Sequence, residues 1–510
     1  MSVPNSLPVS LHPAGQNRLV GTVLSADLVE VAGSLFGQGM RLALVSGHDD
    51  GESMRVTYLF TSGPPDFRVE LHVPLARSRP TVPTLATLSF PASRFERELH
   101  DLFGIVPLDH PQPRRLVLHQ HWPANWHPMR HGATEPPEMV AGAGSFPFVP
   151  VEGAGVYEIP VGPVHAGLIE PGHFRFWVVG ETILRMKARL WFVHKGIERL
   201  FEGKDIASGL EIAERISGDT AVGHALAYCQ AVEDAHHITV PQGGQGLRCV
   251  LLELERLYNH VADIGALCND VGFGLAQAWA LSLREQLLRL NREITGHRLL
   301  RGGVVPGGTR VRRLPTVVEL AEVGQRFEEL VELTASNALV MERFTGTATL
   351  DESHAHDLGV VGVVGRASGL VFDARVAHPI VDLVDGFTPA LHSSGDVLAR
   401  YAVRVDEVRA SLSLLANLVE RVGDLDVVAS LEGRAVPDQL DGGVGIAEGW
   451  RGAIVHRVEL DQQQRFTRVK IVDPSFLNWP ALPTALGDTI VPDFPLANKS
   501  FNLSYAGNDL

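Results

Sequence analysis

The sequence predicts an α+β protein: a small N-terminal α+β domain with an antiparallel sheet, followed by a large, mainly helical-bundle domain with small β elements. Three observations carry that prediction. Alternating apolar and polar residues flank a turn near the start, a stretch dense in Pro, Gly, His and Trp interrupts the chain, and apolar residues beyond it recur at steps of three and four.

Residues Arg41 to Val73 alternate in the manner of strands. "MRVTYLF" and "FRVELHV" are separated by "TSGPPD", whose Gly and Pro residues supply a turn, so the pair reads as a hairpin. The segment "SRFERELHDLFGI" then takes helical spacing, and a first domain is expected over 1–118. From 119 to 155 the composition excludes long regular elements, and this segment is expected to be a linker whose aromatic residues hold it to the surface. "YEIPVGPVHAG" opens the second domain, 156–510, as a small β region. Beyond Leu184 the chain is expected to be helical. Val250, Leu254, Leu257, Val261, Ile264 and Cys268 make one apolar stripe. Thr316 with Glu319 is a capping box opening a helix through Leu320, Val323, Phe327 and Leu330. A third stripe runs through Val397, Tyr401, Val405, Val408, Leu412, Leu415 and Val419. Long helices with matching stripes imply a bundle.

Composition narrows the function. The chain has 510 residues, 45% hydrophobic and 20% charged, enough for a large core and roughly two to four domains. A net charge of -15 argues against nucleic acid as the main partner, because neutralising phosphates needs a basic face. Cys229, Cys249 and Cys268 form no CxxC pair, so neither a disulfide framework nor a thiolate metal site is legible, and a reducing compartment fits. They read as small buried apolar residues. The start lacks the order of a secretory signal, and no run of about 18 apolar residues spans a bilayer, so any membrane link is expected through a partner.

Two distant segments carry the chemistry: "RISGDTAVGH" (Arg215 to His224) and "VDPSFLNW" (Val472 to Trp479). Each presents two polar side chains three residues apart, Ser217 with Thr220 and Ser475 with Asn478. Their frames resemble RxCGxCxxxH and DPCxxC, the four-cysteine nickel-iron signature of hydrogenase large subunits, with every cysteine replaced. Arg215, Gly218, His224, Asp473 and Pro474 keep the frame. "RFERELHDLFGIVPLDHPQPRRLVL" resembles the 30-kDa subunit of respiratory complex I. "VPVGPVHAGLIEPGHFRF", "VHKGIERLFEGKD", "ELERLYNHVADIG" and "DFPLANKSFNLSYAGNDL" resemble the large subunit of hydrogenase-4 and formate hydrogenlyase complexes, which is homologous to the 49-kDa subunit of complex I.

The resemblance implies an oxidoreductase-complex subunit, cytoplasmic and peripheral on the inner face of the cell membrane. Its implied partners are a small iron-sulfur subunit, which holds the cluster, and membrane subunits resembling cation/proton antiporters. Soft thiolates grip nickel and iron, whereas hydroxyls and an amide do not, so no metal or other cofactor is expected on this chain and hydrogen activation is not expected. In its simplest reading "ISGDT" is a former ligand loop whose replacements hydrogen-bond where metal once sat. A plain N-cap, with Ser217 or Asp219 accepting backbone N–H bonds, is compatible with it.

Glu170 matches the hydrogenase position that relays protons from a cysteine ligand. Its plainer reading is a buried glutamate paired with Arg215, Arg366 or Arg451. Asp219, His224, Arg366, Arg451 and Asp473 would complete a polar pocket, Arg366 as the charged member of the loop "GVVGVVGRASG", which lacks a dinucleotide-binding frame. A quinone pocket, as in NADH:quinone oxidoreductases, is the alternative inheritance. There, however, the expected second histidine after His165 falls on Ile169, and the expected tyrosine falls on Gly218 or Asp219. A non-catalytic scaffold is the third reading, with a tight plug at the site favouring it and an open polar pocket favouring chemistry. His119, His121, His127 and His131, and His354 with His356, are weak candidates for zinc.

Overall fold

The computed structural model describes residues 9–15, 17–133, 135, 137–140, 142, 146–166, 169–381, 387–422, 426–429 and 442–510. Parts of the 119–155 linker thus lie outside the described residues. Strands β1 (His12–Pro13), β2 (Arg18–Thr22), β3 (Arg41–Asp49), β4 (Ser53–Ser62) and β5 (Phe67–Ala76) form one sheet in the order β1-β2-β5-β4-β3. The hairpin is β4–β5, in register from Ser53 opposite Ala76 to Ser62 opposite Phe67. The β2–β5 pair alone in this sheet is parallel, because the chain crosses over through helix α1 (Leu28–Gly37) and two strands between them.

Strand β6 (Thr81–Pro83) precedes helix α2 (Phe90–Phe103) and pairs in parallel with β7 (Val106–Leu108) after it. Helix α2 ends where Gly104 takes the left-handed conformation, φ 66°. It lies against β3 at Gly47, where a side chain would collide with Leu99 and Phe103. The chain after β7 is strapped down: Asp101 on α2 accepts the N–H groups of Leu116, Val117 and Leu118, and Trp122 stacks on Trp126 with both rings packed on the core.

The second half opens on a three-stranded antiparallel sheet, β8 (Val156–Val161), β9 (His173–Val179) and β10 (Thr182–Arg189). Strand structure therefore runs past Leu184 and helices begin only at Ile197. A bulge between Ile183 and Arg185 breaks the period of two that marks a strand in sequence. Helices α3 (Ile197–Phe201), α4 (Ile206–Ala213), α5 (Ala221–Ala235), α6 (Gln242–Asp270) and α7 (Gly274–Thr295) follow. Short strands β11 (Val304–Val305) and β12 (Gly308–Arg310) precede α8 (Val317–Ala335), which carries the Thr316/Glu319 capping box. Next come α9 (Ala338–Phe344), α10 (Glu352–Leu358), α11 (Gly362–Ala367), α12 (Ala374–Ala377) and the long α13 (Val397–Arg421). Strand β13 (Asp426–Val428) joins β12.

The stripes of α6, α8 and α13 all face one core. The polar face of α6 is buried as well, including Arg248, Glu253, Glu255, Arg256, His260 and Asp263. A helix at the centre of the domain meets neighbours on every side, so its charges are spent on other parts of the chain.

A further sheet separates the two cores: β14 (Gly443–Gly449), β15 (Gly452–Leu460) and β16 (Phe466–Val472), antiparallel in sequence order. Val444, Ile446, Val455 and Val472 face the core shared with the N-terminal sheet. Ala447, Ile454, Val458 and Ile471 face the helical core. Four short helices close the chain, α14 (Pro474–Asn478), α15 (Ala481–Ala485), α16 (Phe494–Phe501) and α17 (Tyr505–Asp509). Among the described residues no helix is long and apolar enough to cross a membrane.

Candidate functional site

Helix α5 and strand β14 meet backbone to backbone. A Cβ added to Gly445 would lie 1.9 Å from the Ala227 carbonyl oxygen, and one on Gly443 would lie 2.0 Å from that of Ala231. Only glycine on the strand permits this approach. It places the start of α5, with Thr220 and His224, beside the β14–β15 turn and the end of β16. The two distant sequence segments are thereby brought into one site.

At its centre His224, fully buried, sits between two partners. Its Nε2 lies 3.1 Å from Asp473 Oδ2 and its Nδ1 lies 3.1 Å from His456 Nε2. Burial and the neighbouring His224 hold His456 well below the ordinary histidine range, so His456 is neutral, and among the described residues its Nδ1 has no hydrogen-bond partner. Burial would raise the Asp473 carboxyl, but the hydrogen bond and charge of His224, with Arg451 and Ser475, hold it below its ordinary value. Asp473 also caps α14 through the Ser475 N–H at 2.7 Å.

Ser504 joins the two ligand-frame segments. Its N–H donates to Ser475 Oγ at 2.9 Å, and its hydroxyl lies 2.9 Å from Ser217 Oγ. Ser217 and Thr220 each donate to Asp219 Oδ1 at 2.9 Å. Asp219 receives Arg451 in a two-pronged pair, 2.8 and 2.7 Å. Burial opposes ionisation of Asp219, yet Arg451, Ser217 and Thr220 hold its carboxyl down at about 2. Arg451 lies 3.9 Å over the Trp450 ring, and the indole N–H donates to Thr220 Oγ1 at 3.1 Å. Asn478 accepts the Val361 N–H at 2.9 Å and donates to the Val361 carbonyl at 3.0 Å.

Asp219, His224, Arg451 and Asp473 thus share one network. Glu170 reaches its edge: its Oε2 accepts the Ala506 N–H at 3.0 Å on α17, two residues beyond Ser504. It does not meet the arginines suggested as partners, since Arg215 is exposed, Arg451 is engaged by Asp219, and Arg366 lies elsewhere. Arg366 is fully buried in a second network, bonded to Glu407 and Glu448 and 3.3 Å from Asp373, and Arg256 and His260 also reach Glu407. It belongs to the underside of β14 and not to the ligand loops.

The helix-capping alternative for "ISGDT" is corrected by the structure. Thr220 occupies the N-cap of α5 without a side-chain cap bond, and Ser217 and Asp219 are spent on one another, Ser504 and Arg451. Glu255 on α6 does the capping, accepting the Val222 N–H at 2.7 Å and the Gly223 N–H at 2.9 Å. Burial pushes its carboxyl up to about 8 against the pull of those donors, with the charge of Asp219 adding to the rise. Sequence reading missed Glu255, His456, Trp450 and Ser504. Ser504 lies in the tail block already noted, whereas nothing in a single chain pairs His456 with His224.

Ser217, Thr220, Ser475 and Asn478 do not fit a nickel-iron centre. Their donors are three hydroxyls and one amide, all four residues are buried, and each side chain is engaged in protein hydrogen bonds. Cys229, Cys249 and Cys268 lie in the helical core, and burial raises every thiol, Cys249 and Cys268 to about 12. Among the described residues no group of three or more His, Cys, Asp or Glu is placed to hold a metal ion. The His119 ring bonds to the Leu190 carbonyl, and that of His127 to the Asp101 carbonyl. His165 is bonded to the Gly172 carbonyl at 2.7 Å, Ile169 is exposed, and Gly218 faces open space.

Three families match the chain in sequence order. Respiratory-chain NADH dehydrogenase, 30 Kd subunit, matches residues 22–136, nickel-dependent hydrogenase matches 195–268, and respiratory-chain NADH dehydrogenase, 49 Kd subunit, matches 270–442. Hydrogenase-4 component G of Escherichia coli (strain K12) is 32% identical over 426 residues, 81% of this chain and 73% of the relative. Formate hydrogenlyase subunit 5 of the same organism is 31% identical over 458 residues, 86% and 79% of the two chains. Carbon monoxide-induced hydrogenase of Rhodospirillum rubrum is 28% identical over 354 residues, 68% and 97%.

Proposed function

This chain belongs to the family of hydrogenase-4 component G and formate hydrogenlyase subunit 5, fused homologues of the 30-kDa and 49-kDa complex I subunits, and from that premise we propose that it works without a nickel-iron centre. It is a subunit of a complex I-related oxidoreductase assembly. In our reading it sits peripherally on the cytoplasmic face of a membrane, against a small iron-sulfur subunit and antiporter-like membrane subunits. It takes part in electron transfer from the partner's cluster and couples that transfer to proton movement.

The observation supporting the coupling role is the buried line Asp473–His224–His456, joined through Ser475 and Ser504 to Ser217, Asp219 and Arg451. His224 gives its Nε2–H to Asp473, which fixes the ring and stabilises positive charge on it. A proton arriving with an electron meets the His224–His456 pair, whose facing ring nitrogens lie 3.1 Å apart and can share it. Arg451 keeps Asp219 ionised, so the other end of the network stays charged. Glu170 anchors the α17 segment that follows Ser504.

A scaffold role is the second reading, favoured by one specific observation: Asn478 spends both amide atoms on the Val361 backbone, a structural stitch where a ligand would stand. The two readings separate in the purified native complex. With assembly intact, Asp473→Asn is expected to slow electron transfer from the reduced partner cluster to an artificial acceptor by about tenfold or more. Turnover at the wild-type rate in both Asp473→Asn and Glu170→Gln would move the chain to the scaffold class.

A further inference from the structure

A groove of about 450 Å³ is walled by α2, the strap after β7, β10 and the chain around α15, and Trp479, whose indole N–H donates to the Ser504 carbonyl at 3.3 Å, stands between it and the ligand-frame network. Six cations line it: Arg94, Arg97, Arg114, Arg185, Lys187 and Arg189. In a chain where acidic residues outnumber basic ones by 59 to 44, this is a concentration of one sign. Among the described residues none of the six forms an ion pair.

What they do bond to is neutral. Arg94 donates to Asn508 Oδ1 at 3.2 Å, Arg97 to the Arg114 and Arg115 carbonyls at 2.6 and 2.9 Å, Arg114 to Gln112 Oε1 at 3.3 Å, and Arg189 to the Leu116 and Leu118 carbonyls at 2.5 and 3.3 Å. Among the described residues the Nε groups of Arg94 and of Arg189, itself 5% exposed, are buried without an acceptor. Three carboxylates project their fields into the cluster, Asp101, Asp509 and Glu98, and each has partners of its own, Glu98 being paired with Lys470 at 2.7 Å. Asp101 receives three backbone N–H groups of the strap, and Asp509 receives the Val193 N–H and the Asn508 amide.

The repulsion registers on the groups themselves: recession into the groove, then the like charges of Arg114, Arg97, Arg94 and Arg185, bring the Lys187 ammonium down to about 8. Rings hold the cluster in place, with Arg189 5.0 Å over Phe146 and Arg94 4.7 Å over Phe476. Cations of one sign gathered along a groove, with Arg94 and Arg189 held by rings before any ligand arrives, are an arrangement that recognises a multivalent anion.

We infer that this groove binds a phosphate-bearing anion, either a free di- or polyphosphate compound or an anionic lipid headgroup. Guanidinium forks match phosphate oxygens in pairs, and six cations call for more than the single charge of one carboxylate. The inference stands apart from the proposed coupling role, since none of the six cations is a member of that network.

The test uses the full chain and the Arg185→Gln/Lys187→Gln double variant, whose altered side chains are exposed and leave the buried arginines intact. Calorimetric titration with inorganic pyrophosphate and co-sedimentation with phosphatidylglycerol or phosphatidylcholine vesicles form its two arms. Saturable one-to-one pyrophosphate binding, weakened about tenfold or more in the variant, supports a free phosphate compound. Preference for phosphatidylglycerol vesicles, lost in the variant, supports a lipid headgroup. Equal behaviour of wild type and variant in both arms overturns the site. So does a polyglutamate peptide binding tightly where pyrophosphate and phosphatidylglycerol do not, which would make the groove a dock for an acidic protein segment.

Discussion

Asn478 is a buried amide that holds a neighbouring loop by its backbone. It is fully buried, and its amide satisfies the N–H and the carbonyl of Val361, two groups that no water reaches. Asn478→Leu keeps the volume and strands both, and a loss of about 2–4 kcal/mol in chemical denaturation is expected. A loss under about 0.5 kcal/mol would mean that Val361 finds other partners. Asp219 makes a pH-dependent prediction. Its folded carboxyl is held at about 2, below the 3.8 of an unperturbed aspartate. The unfolded chain therefore binds more protons between roughly pH 4 and 2, so stability is present above that window and lost as pH falls through it. Asp219→Asn is expected to flatten this part of the stability curve, measured by thermal melting from pH 5 to 2, and a curve parallel to wild type would remove the Arg451 pair from the account. These side chains were legible in sequence as positions in a frame. Their partners His456, Glu255 and Ser504 were not, because contact across more than 200 residues, as between His224 and His456, leaves no spacing to read.

Among elements, the junction of α5 with β14 positions the rest. Gly445 stands 1.9 Å, in terms of an added Cβ, from the helix backbone at Ala227, so Gly445→Val must push helix and strand apart. Overpacking of this kind is expected to cost about 3 kcal/mol or more, lowering the melting temperature or preventing folding, and a variant within about 2 °C of wild type would show that the junction yields. The sheet β14–β16 was the least legible element. Its strands are buried on both faces and begin in a glycine-rich run, so they offer neither alternation nor an apolar stripe. The helices α6, α8 and α13 were legible because each keeps one continuous apolar face, and the α8 capping box appears in sequence as it does in structure. Strand β10 was read as helix beyond Leu184 because its bulge hides the alternation.

At the scale of the molecule, the N-terminal sheet and the β14–β16 layer are riveted by buried charge. Glu70 on β5 lies 2.9 Å from Arg18, 2.7 Å from Arg457 on β15 and 2.6 Å from His72, with no exposure. Burial alone would raise its carboxyl, yet Arg457 and Arg18 hold it well below the carboxylate range. Glu70→Gln removes one of two carboxylate partners from each guanidinium, since Arg18 keeps Asp234 at 3.0 Å and Arg457 keeps Glu459 at 2.6 Å, and a loss of about 2–3 kcal/mol is expected in denaturant unfolding, while under about 1 kcal/mol would show the rivet to be dispensable. The α+β class and the two-part order were legible from patterning. The union of both parts around a shared core and shared ion pairs was not, since charges read from sequence are expected at the surface.

Hydroxyl and amide donors at Ser217, Thr220, Ser475 and Asn478 are proposed to leave this family member without a nickel-iron centre. Metal analysis of the native complex, purified without chelators and normalised to this chain, decides between presence and absence. Nickel far below one atom per chain is expected; one nickel per chain, lost on mutation of those four residues, would overturn the proposal.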